Sequence, residues 1–341
     1  MSIAALAVIG LGTGGCNGSA PKGEASVAVP SAGRILIAIT VDWEGAYFSP
    51  EGLDALDGLR DKLGAAPLTH FVSAAYFTKV APAETGVTDL TASIRPGDEL
   101  GLHLHGWASL ATEAGVRPRL SPSFLTGTDR LIQFPDGDVG FDVDLDVYEV
   151  NELRAMIRTS KQRLEAIGLR VSTSFRAGGY LGTPKLLHAI RAEGFEIDSS
   201  ATHADQFKSP KDKVFRERVG EVWPALAPEA APYVITTPAG AVLEIPIAAI
   251  VDYVDAKAIY LAISRAHETL ARAPAADVAV VIALHQENAD EFAGRLVEAL
   301  DKGRAGPGLS SLLEFTTISG IAHRDRADAT SAGPPWPAPR R

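Results

Sequence analysis

Cysteine is almost missing from this chain of 341 residues; Cys16 stands alone. A single thiol excludes an intrachain disulfide and any zinc site built from cysteines. Positive charge is also scarce. The 32 Lys and Arg face 42 Asp and Glu, a net charge of −10, and no basic run occurs. Neither a nucleic-acid partner nor an anionic membrane surface is expected. The apolar N-terminal stretch Ile3 to Gly15 is shorter than the ~20 residues that a transmembrane helix needs. No internal repeat is visible, and no break in composition marks a second folded domain. What remains is a globular mixture, 46% hydrophobic and 22% charged, able to bury a large core.

The Ile3–Gly15 stretch resembles the apolar part of an export signal. Gly14-Gly15-Cys16 is similar to the end of a bacterial lipoprotein signal, in which the cysteine is lipidated after cleavage. The expected organisation is a signal over 1–16, a Gly/Ala/Ser/Pro linker over 17–33, one catalytic domain over 34–320 and a disordered tail over 321–341. The expected location is the periplasm, or the cell envelope as a lipoprotein anchored through Cys16, with the cytoplasm as the alternative.

Inside the domain, apolar strands alternate with amphipathic helices. Residues 34–41 form a continuous apolar β run, which fits a strand covered on both faces of a parallel sheet. Helices are expected from Ser49-Pro50 to Leu63, over Val150–Ile167, from Thr183-Pro184 to Gly194, from Asp255, and over Asp290–Lys302. Strands are expected at Thr69–Phe77, Gly97–His105, Val171–Phe175, Phe195–Asp198, Leu243–Ile247, Val278–Leu284 and Glu314–Ile318. This alternation predicts a parallel α/β barrel, closed or nearly so, with right-handed crossovers. Residues 108–146 lack periodicity and read as a long excursion over the barrel mouth. Their acidic run (Asp136, Asp138, Asp142, Asp144, Asp146) does not have calcium-loop spacing and reads as a solvated loop.

Parallel barrels carry their chemistry at the C-terminal strand ends. Directly after apolar strands come Asp42 and Glu44, His103 and His105, Arg176, and His285. His103 and His105 lie two apart and share one face of their strand. Two imidazoles and one carboxylate can hold a divalent ion with positions left for water and substrate. Either Asp42 or Glu44 can be the third ligand, leaving the other to take a proton from metal-bound water. His285 can protonate the leaving group, and Arg176 can fix the base or an oxyanion. Trp43, Trp107 and Tyr180 are the expected substrate contacts. His188, His267 and His323 read as ordinary polar residues, and His70 as structural. His203 is a loop residue within possible reach of the mouth. Asp198 and Glu244 read as strand residues in supporting roles.

These residues resemble the polysaccharide deacetylases of the NodB-homology type, carbohydrate esterase family 4, over most of 34–320. Val41-Asp42-Trp43-Glu44-Gly45 is similar to the first family motif, Asp98-Glu99-Leu100-Gly101-Leu102-His103 to the second, and Phe175-Arg176-Ala177-Gly178-Gly179-Tyr180 to the third. Gly194 to Ser200 is similar to the strand that follows, and Leu284-His285 to the last motif. The resemblance implies a distorted (β/α)7 barrel with a divalent ion, zinc foremost, and hydrolysis of an N- or O-acetyl group on a glycan. It makes Asp42 the base, Glu44 a metal ligand with His103 and His105, Arg176 the brace of the base, and His285 the acid. The family spaces its second-motif histidines four apart, and Trp107 stands in that place here, so His105 substitutes. Asp252 is the candidate for the fourth motif. These departures describe a divergent branch. The alternatives are another metal-dependent C–N amide hydrolase on a β/α barrel, or a degenerate barrel that binds glycan or a partner without turnover.

Overall fold

The computed structural model describes residues 32–79, 86–306 and 308–328. The expected signal, Cys16, most of the linker and the end of the chain lie outside the described residues.

Among the described residues, ten strands and nine α-helices follow one another. The first half contains β1 (Ile35–Trp43), α1 (Pro50–Leu63), β2 (Leu68–Ser73), α2 (Gly86–Ser93), β3 (Glu99–Leu104), α3 (Ala108–Glu113), α4 (Val150–Ala166), β4 (Ser174–Ala177) and α5 (Pro184–Ala192). The second half contains β5 (Ile197–Asp198), α6 (Lys213–Val222), β6 (Tyr233–Thr237), β7 (Gly240–Glu244), β8 (Ile247–Ile250), α7 (Ala256–Arg272), β9 (Val278–His285), α8 (Ala289–Ala305), β10 (Leu313–Phe315) and α9 (Ile318–Asp328).

All nine residues of β1 are buried, as the unbroken apolar run requires. β1 pairs in parallel with β2, β9 and β10. The sheet order is β6-β7-β5-β4-β3-β2-β1-β9-β8, and β6–β7 is its antiparallel pair. The sheet curls into a half-barrel. An isolated parallel bridge links Thr202, just past β5, to Ile247 of β8 across the opening. The α/β barrel expected from the sequence is therefore present.

Several elements differ from expectation. The stretch Leu243–Ile247 is not one strand, because Pro246 separates β7 from β8 and proline cannot continue a ladder. The strand expected to reach Phe77 stops at Ser73 and turns into a 3₁₀ segment, Ala74–Phe77. The acidic excursion is solvated only in part, at Asp136 and its neighbours, while other acids of the run are buried or paired. Asp142 is fully buried and accepts from the Ile132 amide at 3.0 Å. Asp144 pairs with Arg218 at 2.7 Å, and Asp138 accepts from the Ser109 hydroxyl at 2.7 Å.

The expected tail also begins as structure. α9 runs across residue 320 and buries Ile318, Ile321 and Ala322. Its N-terminus closes the end of the barrel opposite the site. The Ile318 amide donates to Thr69 Oγ1 at 3.1 Å, and the Ser319 amide donates to Glu99 Oε2 at 2.8 Å. A carboxylate suits this helix end, where free amides and the macrodipole favour negative charge. Glu99 also accepts from the hydroxyls of Ser172 and Ser174, at 2.7 and 2.6 Å.

Candidate metal centre and its surroundings

Strand register places the site residues side by side. His103 is opposite Arg176 across β3–β4, and Asp42 is opposite His285 across β1–β9. Paired residues of neighbouring parallel strands project from the same face, so these four share the inside of the barrel.

Glu44 lies just past β1, and its Oε2 meets His103 Nε2 at 3.4 Å and makes a shorter contact with His105 Nε2. The two Nε2 atoms are 3.2 Å apart. Both Nδ1 atoms are already committed: His103 Nδ1 to the Arg176 carbonyl at 3.0 Å, and His105 Nδ1 to the Phe141 carbonyl at 2.6 Å. A carbonyl only accepts, so each Nδ1 carries the proton and each Nε2 presents a lone pair. Two lone pairs facing each other beside a carboxylate call for a cation. Among the described residues, Glu44, His103 and His105 form a group whose ligand atoms lie within 4.8 Å of one another. The donor set therefore fits a divalent ion. Burial alone would raise the Glu44 carboxyl, but positive charge on the imidazoles of His105 and His103, where they take the cation's place by protonation at Nε2, outweighs it and holds Glu44 well below the usual range. Of the two carboxylates, Glu44 is the one that the histidines meet.

Asp42 is fully buried and engages Arg176 instead. Arg176 Nη1 donates to Asp42 Oδ1 at 2.9 Å, to Oδ2 at 3.2 Å and to Thr40 Oγ1 at 2.8 Å. Its Nε and Nη2 donate to the carbonyl and hydroxyl of Ser199, at 2.7 and 3.0 Å. A guanidinium held by this many bonds is fixed in place, and so is the carboxylate it faces.

His285 ends β9 with Nε2 at 3.1 Å from both Glu44 Oε1 and the Tyr180 hydroxyl, and Nδ1 at 3.0 Å from Asp252 Oδ1. Burial works against a charged imidazole, but the carboxylates of Asp252 and Glu44 overcome it and raise His285 well above its ordinary value. The imidazolium is the favoured form at neutral pH, as a general acid requires. Asp252, the candidate for the fourth motif, thus lies against His285.

The aromatic expectations need correction. Trp43 lies between Asp42 and Glu44, so the pleat turns it outward; it is fully buried, and its indole donates to His70 Nδ1 at 3.1 Å. Trp107 is also fully buried, under Phe134 and Phe141, and its indole donates to the Glu44 carbonyl at 2.8 Å. Neither ring can stack on a substrate; Trp107 braces Glu44. Tyr180 does reach the site, with its hydroxyl on His285. It pays for that position with φ of 61°, a conformation that side chains rarely adopt.

Some contributors have no obvious signal in the sequence. Phe141, from the aperiodic excursion, supplies a carbonyl to His105 and stacks on its ring at 4.5 Å. Gly178 is required because a Cβ there would lie 2.6 Å from His105 Nδ1. Glu287, two residues after His285, accepts from the Glu44 amide at 3.2 Å and the Tyr76 hydroxyl at 2.6 Å. Burial, then the neighbouring Glu44 charge, pushes its carboxyl up to about 8. His70 is structural, as expected, in contact with Trp43 and Asp98. His203 Nδ1 is buried away from solvent.

No protein-family model and no curated protein matches the chain. Solved structures do match in fold. A Mycobacterium smegmatis protein named as a polysaccharide deacetylase superposes with a TM-score of 0.54 at 16% identity, over 92% of this chain and 97% of its own. The allantoinase Puue superposes with a TM-score of 0.50 at 14% identity, over 86% of this chain and 91% of its own. The chain thus shares the fold of these two structures.

Proposed function

We propose that the protein is a metal-dependent hydrolase that removes an N- or O-acetyl group from a glycan, with zinc as the resident ion. The observation that supports this most is the convergence of Glu44 Oε2 with the Nε2 atoms of His103 and His105, each imidazole locked by a backbone carbonyl. A divalent ion there supplies Lewis acidity toward an acyl oxygen and toward water. Asp42, fixed by Arg176, takes the proton from the attacking water. His285, charged by Asp252 and Glu44, returns a proton to the departing amine or alcohol. Tyr180 orients His285 through its hydroxyl.

A second reading, hydrolysis of a small C–N amide, is favoured by the depth of the ligands. Glu44, His103 and His105 are only 8%, 1% and 2% exposed. Acetate release from acetylated oligosaccharides, measured beside ammonia or acid release from small linear and cyclic amides, separates the two. Chelator-sensitive acetate release supports the proposal, and turnover of small amides alone contradicts it. Export, with lipidation of Cys16, belongs to the same proposal. Palmitate incorporation that disappears in Cys16→Ser checks it.

A further inference from the structure

Behind Arg176, on the outer side of the barrel wall, β5 and β7 carry two carboxyl groups in register, Asp198 opposite Glu244. Both are fully buried. Glu244 Oε1 accepts from the amides of Ser200 and Ala201, at 3.1 and 2.8 Å. Asp198 Oδ1 accepts from the Ser200 hydroxyl at 2.7 Å. The remaining oxygens, Asp198 Oδ2 and Glu244 Oε2, are buried and have no donor. Two bare carboxylates cannot stay buried side by side without a large electrostatic penalty, and a single proton between them removes it.

The segment these carboxyls grip leads to the site. Ser199 stands between Asp198 and Ser200, and its carbonyl and hydroxyl hold the Arg176 guanidinium. The Ser200 hydroxyl also accepts from the Ala177 amide at 2.8 Å. Arg176 in turn fixes Asp42 and offers its carbonyl to His103.

We propose that Asp198 and Glu244 share one proton as a hydrogen-bonded acid pair, and that this pair is a positioning device that fixes Ser199 and, through it, Arg176. Glu244 Oε2 carries the proton and donates it to Asp198 Oδ2, which satisfies both orphaned oxygens. Burial raises both carboxyls, and for Glu244 the Asp198 charge adds to the effect. The charged and titratable groups facing the pair are Arg176 from β4, which favours the Asp198 charge, and Tyr233 from β6, opposite Glu244. Above Asp198 lie Gly182 and the Trp223 ring, which are uncharged.

The test needs no substrate and does not depend on the proposed activity. Glu244→Gln keeps a donor toward Asp198 and the net charge of the protonated pair. Infrared difference spectra between wild type and Glu244→Gln at neutral pH should show a protonated-carboxyl band in the wild type alone; its absence overturns the shared proton. Stability supplies a second readout. A carboxyl protonated in the folded chain and ionised in the unfolded one loses stability as pH rises above the unfolded pKa. The melting temperature of Glu244→Gln should therefore gain on wild type between pH 5 and 9, by about 2–4 °C or more. A difference that stays flat with pH overturns the proposal. For the positioning role, Glu244→Ala should lower the rate of the proposed reaction through kcat with KM unchanged, and Glu244→Gln should restore it. If the wild type turns over substrate and both variants match it, the positioning role is wrong while the proposed function stands. Should Glu244→Ala fail to fold, the Gln variant alone decides through its band and melting profile.

Discussion

Asp42 and Glu44 illustrate how one strand end separates two chemical roles. They are two apart on an extended chain, yet Arg176 captures the first and a histidine pair the second. Replacing Asp42 by Asn should therefore leave metal content unchanged and lower turnover by about 10²–10⁴-fold, the usual worth of a positioned general base. Loss of metal in that variant, measured by elemental analysis, would mean that the roles are reversed. Trp107→Phe keeps an aromatic ring beneath the Lys79 ammonium, which lies 3.9 Å from the ring centroid. It removes the indole bond to the Glu44 carbonyl, and metal affinity should fall by about 10-fold or more, as for other groups that orient a ligand. Titration with a competing chelator measures it, and an unchanged affinity would show that the brace is idle. The misreading of Trp43 and Trp107 has a physical source. Aromatic residues beside a site can face substrate or core, and only the pleat and the covering loop decide which. For Trp43 the parity was available in the sequence, since a residue between two inward carboxylates must point outward.

Among the elements, the β2–β3 edge depends on one carboxylate. Asp98 precedes β3 and accepts from Arg60 Nη2 at 2.8 Å, from the Leu68 and Arg95 amides, each at 2.8 Å, and from His70 Nε2 at 3.3 Å. Burial would raise its carboxyl, but these donors lower it from 3.8 to about 2. A depressed pKa means stability that is present above the unfolded value and lost as pH falls toward the folded one. Asp98 should contribute on the order of 2 kcal/mol at neutral pH, lost between about pH 4 and pH 2. Asp98→Asn should remove that slope and lower the denaturation midpoint, and equal acid profiles for the two proteins would contradict it. The strands were legible as elements because parallel strands are apolar throughout. The helices α1, α4, α5, α7 and α8 were legible from their caps and periodicity. β6 was not, because it lies at the sheet edge and alternates burial with exposure over five residues. α9 was hidden by its polar composition, although Ile318, Ile321 and Ala322 have the spacing of a buried helical face.

For the whole molecule, the barrel closes at both ends by different means. The excursion over 108–146 roofs His105 through Phe141, and α9 seals the opposite end on Glu99. Ending the chain after Thr317 should cost on the order of 3–6 kcal/mol from the lost burial of Ile318, Ile321 and Ala322. Urea denaturation measures this, and an unchanged midpoint would show that α9 is dispensable. The convergence of the site was legible because four strands each end in a polar residue after an apolar run. Asp252, Glu287 and the Phe141 carbonyl come from loops whose paths no local pattern encodes. The account rests on the centre formed by Glu44, His103 and His105, and metal content tests it most directly. Purified wild-type protein should carry one divalent ion per chain, and His103→Ala and His105→Ala should lose it with unchanged circular dichroism. Wild-type protein that takes up no metal, or variants that hold it as well as wild type, would contradict the account.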